Sequence, residues 1–187
     1  MAMTAWINLL LAAALVAQAV PGPGRPFRGQ AHAIPGRIEA EDFDEGGEGV
    51  GYHDREPENL EKKRPAYREE GVDLERRASA SNQYNLGWTH AGEWLAYTVQ
   101  VRESGTYRLE MMVASEKAGG RFHVEVGGVD RTGAMSIPDT GGWEHLRPLA
   151  KDGVRLEAGT YLMKVVMDAD GASGSVGDID FFRFVRR

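Results

Sequence analysis

Glu39 and Glu41 stand two residues apart in Arg37-Ile38-Glu39-Ala40-Glu41-Asp42-Phe43. On a strand such a pair shares one face, about 7 Å apart by the rise per residue. Carboxyl groups about 5–9.5 Å apart flank the scissile bond of glycosidases. A set of hard carboxylate oxygens is also what calcium takes. Two solvated glutamates would need neither role. Asp178-Ile179-Asp180 repeats the spacing near the C-terminus, just before Phe181, Phe182 and Phe184. The phenylalanines read as a terminal core strand. If the first and last strands pair, Asp180 meets Glu39 and Glu41, and three converging carboxylates favour a divalent cation over catalysis.

The aromatic residues suggest a second kind of chemistry. Trp143 follows Gly141-Gly142 and precedes Glu144. A tryptophan in a glycine turn can stack on the apolar face of a sugar ring at little conformational cost, or cap the edge of a sheet. Tyr67 reads as a second aromatic wall or as ordinary core. Trp88 and Trp94 sit in or beside an apolar run and read as sheet packing. The five histidines, at 32, 53, 90, 123 and 145, form neither His-x-His nor His-x-x-x-His. With no nucleophile elbow and no phosphate-binding glycine loop, hydrolase triads, zinc sites and nucleotide sites lack support. Cysteine is absent, which excludes disulfides and thiolate chemistry. The net charge of −6 is poorly suited to holding a phosphate backbone.

The elements that must position these groups have a period of two. Leu95, Tyr97, Val99 and Val101 share a face; so do Tyr107, Leu109, Met111 and Val113. Phe122, Val124 and Val126 form a third set, and Tyr161, Met163, Val165 and Met167 a fourth. Alternation of this kind means half-buried strands. Turn signals separate the runs at Ser104-Gly105, Gly119-Gly120, Gly127-Gly128, Gly141-Gly142, Gly159 and Gly171. Twenty-four glycines against eight prolines fit many tight turns rather than a disordered chain. The expectation is an all-β sandwich or barrel. Residues 1–19 carry no charged side chain, are apolar from Trp6 to Val16, and end in Ala17-Gln18-Ala19. They read as a secretory signal, and the chain as a secreted, extracellular protein. Residues 20–36, dense in proline and glycine, read as a linker. The folded domain is expected over 37–187, with a charged loop at 55–64.

Taken together, these pieces resemble a family 6 carbohydrate-binding module over 37–187. The carriers are Ile38-Glu39-Ala40-Glu41-Asp42-Phe43, then Gly46-Gly47-Glu48-Gly49-Val50-Gly51-Tyr52-His53-Asp54, then Tyr67-Arg68 with Gly71-Val72-Asp73. Gly87-Trp88, Ala91-Gly92-Glu93-Trp94-Leu95, Ser104-Gly105-Thr106-Tyr107 and Pro138-Asp139-Thr140-Gly141-Gly142-Trp143 follow in order, and Asp178-Ile179-Asp180-Phe181-Phe182 closes the chain. The resemblance implies a β-sandwich jelly roll of galactose-binding-like type. It implies a monomeric, non-catalytic module attached to a polysaccharide-degrading enzyme. Its partner would be an oligo- or polysaccharide, plant or algal, with no nucleic-acid or membrane partner. It implies a structural calcium on Glu39, Glu41 and Asp180. It implies a loop cleft in which Tyr67 and Trp143 sandwich a sugar, with Asp178 and Glu48 taking hydroxyl hydrogen bonds. Asp178 stands where the family has an asparagine, so one donor is lost. That departure and the charged loop make a ligand with amino groups conceivable. Two other readings stand beside this one. One is a protein-interaction or adhesion domain that has lost sugar binding; the other is a small glycoside hydrolase using Glu39 and Glu41.

Overall fold

A computed structural model describes residues 25–61 and 66–187. Thirteen strands are present among them. They are β1 (His32–Ile34), β2 (Gly36–Glu39), β3 (Tyr52–His53), β4 (Leu74–Arg76), β5 (Tyr84–Leu86), β6 (Trp94–Val101) and β7 (Gly105–Ser115). Then come β8 (Arg121–Val126), β9 (Val129–Asp130), β10 (Met135–Ser136), β11 (Gly142–Leu156), β12 (Gly159–Ala169) and β13 (Asp178–Arg186). One sheet runs β1-β6-β12-β8-β10, with β3 on β6 and β9 on β8; the other runs β11-β7-β13-β5-β4, with β2 on β13. This is the expected all-β sandwich, a jelly roll. The described residues include no helix long and apolar enough to cross a membrane.

The alternation in the sequence becomes the core. Tyr107, Leu109, Met111 and Val113 of β7 are buried against Tyr97, Val99 and Val101 of β6, with Phe122, Val124 and Val126 of β8 and Met163, Val165 and Met167 of β12. Phe182 and Phe184 of β13 complete it. Gly127 and Gly128, at φ 64° and 73°, make the two-residue turn between β8 and β9. Such a turn needs two left-handed residues, so glycine is the side chain that fits.

Two features of the strands prepare the site. The first is the pairing of β2 with β13, which sets Ile38 opposite Phe182 and Glu39 opposite Phe181. The second is a register shift in β13 against β7, between Ile179 and Phe181. Asp180 is the extra residue of that bulge. A bulge bends the strand and re-aims its side chains. Here it lets Asp178 and Asp180 serve two separate clusters.

The chain joins the fold before Arg37. β1 lies parallel to β6 and Ile34 is fully buried. Arg25 and Glu45 exchange two backbone hydrogen bonds of 3.1 and 2.8 Å. Residues 25–36 are therefore part of the domain rather than linker. Their prolines and glycines shape turns around a short strand that Ile34 anchors. The segment 1–19, expected to be a secretory signal, and residues 20–24 lie outside the described residues.

Candidate functional site

A cleft of about 420 Å³ opens at one end of the sandwich. It is lined by Trp88, Trp143, Glu75, Arg77, Asp178 and Glu144, together with His90 and Ser173–Ser175. Each comes from a loop or strand end. Glu75 lies on β4 and Arg77 just beyond it. Trp143 and Glu144 begin β11, and Asp178 begins β13.

The two tryptophans are presented in a similar way. Each follows a glycine. The turn before Trp143 is held by Thr140, whose hydroxyl accepts from Ser115 N at 2.9 Å and lies 2.9 Å from Ser115 O. Asp139 Oδ1 accepts from Gly141 N at 2.8 Å. Trp88 takes φ +47° and stays 40% exposed. A bulky residue in the left-handed region is strained. The strain is held by Thr89, whose hydroxyl donates to Gly177 O at 2.7 Å, while Val176 N donates to Thr89 O at 2.8 Å. With Thr89 turned inward, Trp88 turns out into the cleft.

The floor carries charge. Arg77 Nη2 donates to Asp178 Oδ2 at 2.8 Å and also pairs with Glu75. The Arg77 side chain is 1% exposed, and its Nε and Nη1 are buried with no hydrogen-bond partner among the described residues. Burial pushes Asp178 up to about 8; Arg77 pulls it back, and Glu75 and Glu144 add to the rise.

Of the residues expected to bind sugar, the cleft takes Trp143 and Asp178. Tyr67 is elsewhere. Its hydroxyl donates to Asp42 Oδ1 at 2.6 Å, and its ring packs on Phe27 and Tyr84, at 6.3 and 4.9 Å between centroids. It belongs to the packing at the edge of the core, and Trp88 is the second cleft aromatic. The signal for Trp88 was the glycine before it, masked by the apolar run that follows. Glu48 is also outside the cleft lining. It accepts from Asp54 N at 3.1 Å and contacts His53 Nδ1 at 2.5 Å. Trp94, half-buried, lies under the Lys164 ammonium at 3.7 Å.

Glu39, Glu41 and Asp180 gather around the Ser81-Asn82 turn. Ser81 Oγ lies 2.6 Å from Glu39 Oε2 and 2.8 Å from Asp180 Oδ1, so its single proton serves the two. Ser81 N donates to Asp180 Oδ1 at 3.0 Å, and Asn82 Nδ2 donates to Glu41 Oε1 at 3.0 Å. Glu41 is fully buried and its Oε2 has no partner among the described residues. Burial pushes Glu41 up to about 8, against a backbone hydrogen bond and the Asn82 bond. Burial also raises Asp180. A buried carboxylate oxygen with no donor suits a hard cation, but Glu39, Glu41 and Asp180 do not form a set whose oxygens all lie within 4.8 Å of one another.

A third acidic group was not evident from spacing. Asp54, Glu56 and Glu93 each offer an oxygen within 4.8 Å of the others. Glu93 accepts from His90 N at 2.8 Å and Arg55 N at 3.5 Å, and burial pushes it up to about 7. Its backbone partners tie the loop before β6 to the loop after β3.

Comparison with known proteins agrees with this architecture. Residues 66–186 match the model of the family described as carbohydrate binding module (family 6). Among solved structures, the chain is similar to the C-terminal family 6 module of LamC, a marine laminarinase from Zobellia galactanivorans. The two are 25% identical with a TM-score of 0.59, covering 80% of this chain and 98% of that one. It also resembles a module of lichenase 5A from Cellvibrio mixtus in complex with cellotriose, at 23% identity, TM-score 0.58, and 82% and 98% coverage. The clotting factor G alpha subunit of Tachypleus tridentatus is 34% identical over 92 residues, 48% of this chain; the match spans 14% of that protein's length.

Proposed function

This chain belongs to the family 6 carbohydrate-binding modules, and from that premise we propose that the Trp88–Trp143 cleft is its glycan-binding site. The observation that carries the reading is that two tryptophans and a buried polar floor line one cleft at a loop end of the sandwich. Flat indole faces match the C–H face of a pyranose, and their packing selects ring shape. Asp178 fixes orientation by accepting from ring hydroxyls. Binding is non-catalytic in this reading. Glu41 is fully buried and Glu39 is held by Arg37 at 2.9 Å and by Ser81, so the pair does not reach a ligand in the cleft.

Glu39, Glu41 and Asp180 would hold a structural calcium. Bound there, the ion would supply the charge that the partnerless Glu41 oxygen needs, and would tie the Ser81 turn to β2 and β13. The module acts outside the cell in this reading, in keeping with the apolar leader at 1–19. The test is calorimetry with oligosaccharides of different linkage, on wild type and on Trp88→Ala and Trp143→Ala. Saturable binding that each substitution weakens at least tenfold is expected. Binding unchanged in both variants, or none to any glycan, overturns the reading.

A further inference from the structure

The charges of the cleft narrow its ligand. Arg77 is the one arginine or lysine among the described lining residues, and it faces inward: 1% exposed, with one nitrogen shared by Glu75 and Asp178. So buried and shared, it presents no exposed positive charge to an anionic ligand. Glu75 takes up that single guanidinium, and Glu144 adds a carboxylate at the rim that no exposed cation of the lining meets. His90, the remaining ionisable neighbour, is directed at Asp170, 3.6 Å away.

A ring that settles between the tryptophans displaces water from these carboxylates. Desolvating a charge without a partner is costly. A neutral sugar offers only hydroxyl donors in return, and a uronic or sulfated sugar adds repulsion. An ammonium brings three donors and the missing charge. We propose that this cleft selects glycans carrying protonated amino groups, with Glu75 and Glu144 as the pairing carboxylates. The proposal rests on the cleft being the glycan site. It moves the ligand away from the plant or algal polysaccharide that the family resemblance implies.

The experiment is calorimetry on the intact protein near pH 6 with a β-1,4-glucosamine tetramer, its N-acetylated form, a neutral β-glucan tetramer and a galacturonate tetramer. The free-amine tetramer should bind at least tenfold tighter than the N-acetylated one, which differs in charge at the same ring and linkage. The preference should fall below threefold in 0.5 M salt and in a Glu75→Gln/Glu144→Gln double variant. It should vanish in Trp143→Ala. Equal or tighter binding of the N-acetylated, neutral or anionic tetramer overturns the proposal. So does a preference that survives Trp143→Ala, which would report attraction to the acidic surface at large. Trp143-dependent binding without preference for the amine sinks charge selection alone and leaves the carbohydrate reading standing. No binding of any tetramer sinks both.

Discussion

Arg77 and Asp178, 101 positions apart in sequence, meet at 2.8 Å beneath the cleft with both side chains almost fully withdrawn from water. The pair bolts the end of β4 to the start of β13. Removing Arg77 leaves Glu75 without its cation and the buried Asp178 without its donor, and an unsatisfied buried group of this kind costs about 1–3 kcal/mol. Arg77→Met should therefore lower the urea midpoint sharply. Adding Glu75→Gln and Asp178→Asn to it should recover most of the loss, because no buried charge then remains. Chemical denaturation of the three proteins checks this, and an Arg77→Met variant of wild-type stability would contradict it.

Stability should fall as pH rises. Burial pushes Glu41 and Asp178 up to about 8 and Glu93 to about 7. Between the ordinary carboxylate range and those values, the folded state holds protons that the unfolded state has released. Folding stability then declines with increasing pH across that window. With a chelator present, the melting temperature should be higher at pH 5 than at pH 8. A flat or rising profile would show that these carboxylates are charged and compensated in the folded protein.

Calcium should act through Glu41. A ligand bound by the native state alone raises its stability by mass action. Chelation should lower the wild-type melting temperature, and readdition restore it. Glu41→Gln should lose that response and, in chelator, be at least as stable as wild type, since a partnerless buried carboxylate is gone. Identical curves for wild type with and without calcium would remove Glu39, Glu41 and Asp180 from the ligand set.

Trp88 should trade stability against binding. A left-handed bulky residue costs about 1–2 kcal/mol relative to glycine. Trp88→Gly should hold or raise the melting temperature while weakening glycan binding at least tenfold, about 1.4 kcal/mol. Thermal melts beside titrations decide it; a marked loss of stability in Trp88→Gly would mean that the indole packs rather than presents.

Tyr67 should behave in the opposite way. Tyr67→Phe loses the hydrogen bond to Asp42 and should cost about 1 kcal/mol of stability. Its affinity for any glycan should stay within twofold of wild type. A tenfold affinity loss would put Tyr67 back at the binding site.

The strands were legible because alternation is a local property: Leu109, Met111 and Val113 announce their buried face within five residues. The meeting of Glu39 and Asp180 at Ser81 was legible because β2 and β13 pair. Trp143 was legible because glycines isolate it from any strand pattern. Trp88 was not, because its side chain is turned out by a backbone conformation that Thr89 enforces through contacts with residues 176 and 177. Tyr67 misled because its neighbours Phe27, Asp42 and Tyr84 come from three distant segments. Arg77 was invisible for a similar reason: its partner lies on the last strand, and an arginine after β4 reads as a solvated end.

β1 covers Val99–Val101 of β6, and β3 covers Trp94 and Leu95. Between them they occupy the hydrogen-bonding side of β6 that β12 leaves free. An uncovered row of backbone donors and acceptors is a template for pairing with another molecule. β1 thus closes that edge: a protein started at Arg37 would bare Val99–Val101 and lose the buried Ile34, and is expected to form oligomers that light scattering would register.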